Sequence, residues 1–186
     1  MNMEQNSNSI NFTTGPVFIP ASVSAEMSKI PVSHRGDKFM KDFAELQNTL
    51  CKLTKAKYVN IMTGSGSLAN EAMIINIKNY NEYGLIISNG EFGSRLIYQA
   101  TKQGLQFDTI LSDWGTEHDY EKISQYISEH KNIKWILFTY NESATGCLVN
   151  FEKINEICKK NNVKIFTDAM SVVGNVDVDF SEVKWL

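Results

Sequence analysis

The chemistry within reach of this sequence is concentrated in a few short groups of residues. Thr63-Gly-Ser-Gly-Ser67 runs straight into a helix-forming segment from Leu68. Its glycines allow a sharp turn, its serines supply hydroxyl donors, and the helix start offers unpaired N–H groups and the positive dipole end to an anion such as a phosphate. A plain tight connection is the structural alternative. Asn89-Gly-Glu-Phe-Gly-Ser-Arg95 has glycines on both sides of Phe92, which suggests a backbone bent to push an aromatic ring out over a flat ligand, or else a ring capping the local core. Arg95 reads as a surface or phosphate-side residue. Thr139-Tyr-Asn-Glu-Ser-Ala-Thr-Gly146 gathers donors and acceptors of the kind that also bond their own backbone in turns. Val163-Lys-Ile-Phe-Thr-Asp168 ends an apolar strand in a carboxylate, which needs a cation or several N–H donors facing it.

Together these groups call for one ligand with a phosphate, a flat ring and a protonated ring nitrogen. Pyridoxal 5'-phosphate has all three. Its phosphate would meet Ser65, Gly66 and Ser67, its ring Phe92, and its ring N–H Asp168, whose carboxylate would hold the ring protonated as an electron sink.

The elements that must position these residues alternate. Phe39, Phe43, Leu46, Leu50 and Leu53 recur at three and four between Asp37 and Lys55, which predicts an amphipathic helix. Strands are expected at 58–62, 85–88, 107–111, 135–139 and 163–167, and helices at 68–80, 95–102, 120–129 and 151–160. Short apolar strands separated by helices specify an α/β fold, with a mainly parallel sheet covered by helices on both faces. Ligands of such sheets sit beyond the carboxyl ends of the strands. We divide the chain into a polar tail (1–11), an N-terminal arm and helix (12–55) and one α/β domain (56–186).

The 186 residues are 42% hydrophobic and 21% charged, with a formal charge of -3, a balance that disfavours nucleic acid and anionic membranes. Cys51, Cys147 and Cys158 fit neither a disulfide framework nor zinc spacing, and His34, His118 and His130 stand singly, so no metal site is expected. The N-terminal stretch lacks the apolar core of a signal peptide and no run is long enough to span a membrane, so the expected location is cytoplasmic.

The motifs, taken in order, resemble those of class V aminotransferases of the fold-type I pyridoxal phosphate enzymes, such as alanine-glyoxylate, serine-glyoxylate and 2-aminoethylphosphonate-pyruvate transaminases. The resemblance is carried by Thr14-Gly-Pro16, Ser33-His-Arg35 with Phe39, Thr63 to Ser67 with Glu71 and Ala72, Asn89 to Arg95, Asn141 to Gly146, and Thr167 to Ser171. It implies the three-layer large domain of that family, in incomplete form. It implies phosphate contacts from Ser65, Gly66 and Ser67, ring stacking by Phe92, a hydrogen bond near the ring's phenolic oxygen from Ser143, Asp168 on the ring nitrogen as the catalytic carboxylate, Met170 against the second ring face, and Gly15 near the substrate. The role of His34 and Arg35 is left open. It also implies small amino acid and 2-oxo acid substrates and a homodimer.

In that family the lysine that joins the cofactor lies beyond the aspartate, at the end of another strand. Lys184 comes too early and lacks the expected setting, so the chain is expected to be inactive alone and to expose an apolar sheet edge. A second reading is a truncated or split-gene product that works only with a complementing second chain. A third is a nicotinamide dinucleotide domain built on Gly64-x-Gly66-x-x-Ala69, which lacks an acid at the following strand end to hold a ribose. Cysteine desulfurases and selenocysteine lyases share the implied fold.

Overall fold

The computed structural model describes residues 11, 13, 15–181 and 183. Thr14 and Lys184, named above, lie outside the described residues. The chain divides into two compact units, one up to Ala44 and one from Glu45 onward.

The first unit contains a short helix, α1 (Ala21–Met27), and the start of α2 (Asp37–Thr54). α1 follows Pro20 and buries none of its residues. In α2 the rings of Phe39 and Phe43, one turn apart, stack at 5.8 Å. Gly15, His34 and Arg35 belong to this unit and are exposed.

In the second unit, after α2 come α3 (Gly66–Tyr80), β1 (Tyr83–Ser88), α4 (Glu91–Lys102), β2 (Phe107–Leu111), α5 (Tyr120–Glu129) and β3 (Ile133–Thr139). A two-residue hairpin, β4 (Asn141–Glu142) with β5 (Cys147–Leu148), then leads into α6 (Phe151–Asn161) and β6 (Lys164–Asp168). The main sheet is wholly parallel in the order β2-β1-β3-β6. β1 and β3 sit in its middle, and their near-continuous burial is that of strands covered on both sides.

Successive residues of a strand point to opposite faces, and two cores follow from that. Ile86, Trp135, Leu137 and Phe166 pack under Met73, Ile74 and Ile77 of α3 and Leu96 of α4. Leu85, Ile87, Ile136 and Phe138 pack under Ile123 and Ile127 of α5 and Ile154 and Cys158 of α6. This is the expected three-layer α/β fold with its mainly parallel sheet. Asp119 and Asn150 cap α5 and α6 by accepting from the Lys122 and Lys153 N–H groups at 2.9 and 3.1 Å.

The elements depart from expectation in several places, the β4–β5 hairpin among them. Residues 58–62 do not form a strand: Tyr58 is 77% exposed and the stretch joins no ladder of the sheet, and β-favouring side chains make a strand only beside a partner. α4 starts at Glu91, so Phe92 stands in a helix's first turn and not on a loop bent by glycines. Gly93 is needed for space, because a Cβ there would lie 2.4 Å from the Ser88 hydroxyl oxygen. The arm before α2 also contains α1, which no periodicity announced.

Candidate active site

β1, β3 and β6 end side by side, with Thr139 paired to Asp168 across the last ladder. The N-terminus of α3 also borders this region, and its residues Ser67 and Asn70 line a cleft of about 80 Å³ together with Phe92, Ser143, Asp168 and Met170. Ser67, Phe92, Ser143, Asp168 and Met170 are thus gathered in one place. Ser65 and Gly66 adjoin Ser67 at the helix start. Gly15 lies in the first unit.

Asp168 is half-buried and well supplied with donors. The Asn70 amide donates to its Oδ2 at 2.8 Å and the Met170 backbone N–H to its Oδ1 at 3.0 Å. Its own carbonyl accepts from the Tyr140 N–H at 2.8 Å, which pins β6 to the segment leading into the hairpin. The facing group expected for this carboxylate is therefore a pair of N–H donors within the chain, leaving lone pairs for a ligand.

The N-termini of α3 and α4 border the cleft, and of these two that of α4 is filled from within. Glu142, 1% exposed, accepts from the Phe92 and Gly93 N–H groups at 2.9 and 3.1 Å and from the Ala144 N–H at 3.2 Å. That carboxylate neutralises the start of α4 and ties it to the Ser143 loop. At α3, by contrast, the N-cap Ser65 makes no side-chain cap bond. The α3 start, with the hydroxyls of Ser65 and Ser67, is the one suited to a phosphate. A Cβ at Gly66 would lie 1.3 Å from the methyl of Met170, the far end of a flexible and exposed side chain that would have to move aside.

Ser143 Oγ donates to Ser171 Oγ at 2.9 Å, and Asn141 Nδ2 donates to the same oxygen at 3.0 Å, so the loops after β4 and β6 are joined at the cleft rim. The Arg95 guanidinium lies 5.0 Å from the Phe92 ring centroid, with Nε donating to Glu91 at 3.2 Å. Thr139 Oγ1 and Gln99 Oε1 are buried at this cleft and are the atoms of that kind without a partner among the described residues. Buried polar atoms are seldom left so, and these two await a ligand or water. Asn70, Gln99, Thr139, Glu142 and Ser171 were not singled out from sequence. Thr139, Glu142 and Ser171 stand inside the quoted motifs, whereas Asn70 carries no signal until the chain folds.

A helix start bearing serine hydroxyls, an aromatic face, a carboxylate and orphaned polar atoms beside one cleft are chemically suited to a phosphorylated, N–H-bearing ring such as pyridoxal 5'-phosphate. A larger groove, about 550 Å³, runs between α5 and α6 past Tyr120, Ser124, Lys153 and Glu156, away from the strand ends, and brings together no such constellation. Among the described residues no three His, Cys, Asp or Glu side chains cluster to hold a metal, and no helix is long and apolar enough to cross a membrane.

A parallel sheet between two helical layers, with its cleft at the strand ends, defines a three-layer α/β protein of the doubly wound kind. Residues 21–185 match the family model for class V aminotransferases, and the chain belongs to that family, whose members depend on pyridoxal phosphate. It is 30% identical over 171 residues to the soluble hydrogenase 42 kDa subunit of Anabaena cylindrica, covering 89% of this chain and 45% of that protein. It is 27% identical to a 2-aminoethylphosphonate-pyruvate transaminase of Phocaeicola vulgatus, covering 91% and 48%. The crystal structure of ureidoglycine-glyoxylate aminotransferase from Bacillus subtilis superimposes with a TM-score of 0.81 at 25% identity, covering 90% of this chain and 44% of that one. The chain spans about half the length of the curated relatives it matches.

Proposed function

We propose that this chain binds pyridoxal 5'-phosphate at the strand-end cleft and serves an aminotransferase that moves an amino group from a small amino donor to pyruvate or glyoxylate. The observation that carries this is the convergence of Ser67, Phe92 and Asp168 on one cleft, with Ser65 and Gly66 beginning the helix beside it. The named acceptors of similar proteins, pyruvate and glyoxylate, support the acceptor class.

When bound, the cofactor supplies an electron sink for charge developing at the donor's α-carbon. In this reading Ser65, Gly66 and Ser67 hold the phosphate. Phe92 stacks on the ring with Met170 on its other face, and Ser143 bonds near the phenolic oxygen. Asp168 holds the ring-nitrogen proton, and Gly15 comes near the substrate. Residues 56–186 then act as a large domain preceded by an arm and helix (12–55), in a cytoplasmic homodimer or with a complementing chain. No lysine lines the cleft among the described residues, which favours a chain that binds the cofactor but needs an amine from elsewhere for turnover. The dinucleotide alternative lacks the strand that should precede Gly64-x-Gly66, since 58–62 form none.

The test is titration of the purified chain with pyridoxamine 5'-phosphate, followed by calorimetry. Binding weakened in both Asp168→Ala and a Ser65→Ala, Ser67→Ala double variant is expected. Equal affinity in all three proteins would overturn the reading.

A further inference from the structure

Asp168 and the α3 N-terminus are far apart in sequence, and a ligand held by both needs them at a fixed separation. The Met170 N–H bond to Oδ1 is local to the turn and fixes one oxygen only. The other oxygen is held by Asn70 Nδ2 at 2.8 Å, from a residue 98 positions away in the sequence. Asn70 stands three residues after Ser67 on α3, and residues so spaced share a helix face. Both line the cleft. One helix therefore carries the start of the anion site and the group that sets the plane of the carboxylate. A carboxylate oxygen accepts only, so the amide must present its NH₂ to Asp168.

We propose that Asn70 is a positioning residue: through α3 it registers the Asp168 carboxylate to the phosphate site, so that the remaining lone pair meets the N–H of a phosphorylated heteroaromatic ring. This rests on the cofactor reading above.

The test compares two ligands, pyridoxamine 5'-phosphate and its carbocyclic analogue with CH in place of the ring nitrogen, with inorganic phosphate as a third probe. Wild-type chain is expected to bind the nitrogen ligand at least about tenfold more tightly than the CH analogue, the size of a hydrogen bond involving a charged group. Asn70→Ala is expected to lose most of that ratio while affinities for the CH analogue and for phosphate stay within about twofold, a pattern general loosening of the cleft does not produce. The ¹⁵N signal of ring-labelled ligand should move in the same variant. Asn70→Leu, close in volume and unable to donate, removes the donor without a cavity and should also lose the ratio, which keeps the test decisive if the alanine variant does not fold. If Asp168→Ala abolishes the ratio but both Asn70 variants keep it, the role of Asn70 is overturned and the cofactor reading stands. If wild type shows no ratio, the cofactor reading fails, and the role of Asn70 with it.

Discussion

The Glu142 carboxylate accepts the Phe92 backbone N–H at 2.9 Å, so the side chain that anchors the ring-bearing helix comes from a hairpin 50 residues further along the chain. Three backbone N–H groups depend on this one buried carboxylate. Glu142→Ala is expected to lower unfolding free energy by about 3 kcal/mol, since it strands buried donors. Glu142→Gln should recover only part of that, its NH₂ being turned toward donors. Urea unfolding midpoints check both.

Thr139→Val is expected to behave in the opposite way. The hydroxyl is buried without a partner, so replacing it with a methyl of similar size should leave the ligand-free chain as stable or up to about 1 kcal/mol more so. A clear loss of stability in denaturant melts would show that the hydroxyl is already satisfied.

His118 gives the fold a pH dependence. Burial lowers its pKa below the ordinary histidine value, outweighing the opposing pull of Glu117, while its Nδ1 lies 3.1 Å from the Ser112 hydroxyl. The folded chain holds the neutral ring, whereas the unfolded chain takes up a proton near pH 6.5. Stability from this group is complete above about 6.5 and is lost as the pH falls below it. Unfolding free energies measured between pH 8 and 5 should fall on the acid side, and His118→Gln should flatten that part of the slope.

The cysteines should separate by reactivity. Burial pushes the Cys158 thiol up to about 12, so it is un-ionised at neutral pH, while Cys51 and Cys147 are partly exposed. Brief alkylation of the native chain should label Cys51 and Cys147 only, with Cys158 reacting after denaturation, as read by peptide mass spectrometry.

The fold was legible where burial on both faces dictates residue type. Leu85 to Ile87 and Trp135 to Phe138 are apolar throughout because each side of the sheet is covered, and that pattern survives in one dimension. The stretch 58–62 misled because strand formation belongs to a pair, not to a segment. Ser67 and Asp168 were legible as cleft-lining positions because each stands where an element begins or ends, whereas Phe92 was picked out by its flanking glycines although it stands in the first turn of α4. Asn70 and Glu142 could not, because their meaning lies in hydrogen bonds across 98 and 50 positions of sequence, with no periodicity to announce them.

The contact between Gly66 and Met170 makes two distant positions interdependent. Any side chain introduced at 66 would take the space of the Met170 methyl, and Met170, 64% exposed, would have to swing its thioether outward. The identity of one residue thus constrains the length of the other. Across the family, the two positions should co-vary, with a bulkier residue at the helix start accompanied by a short one after the aspartate.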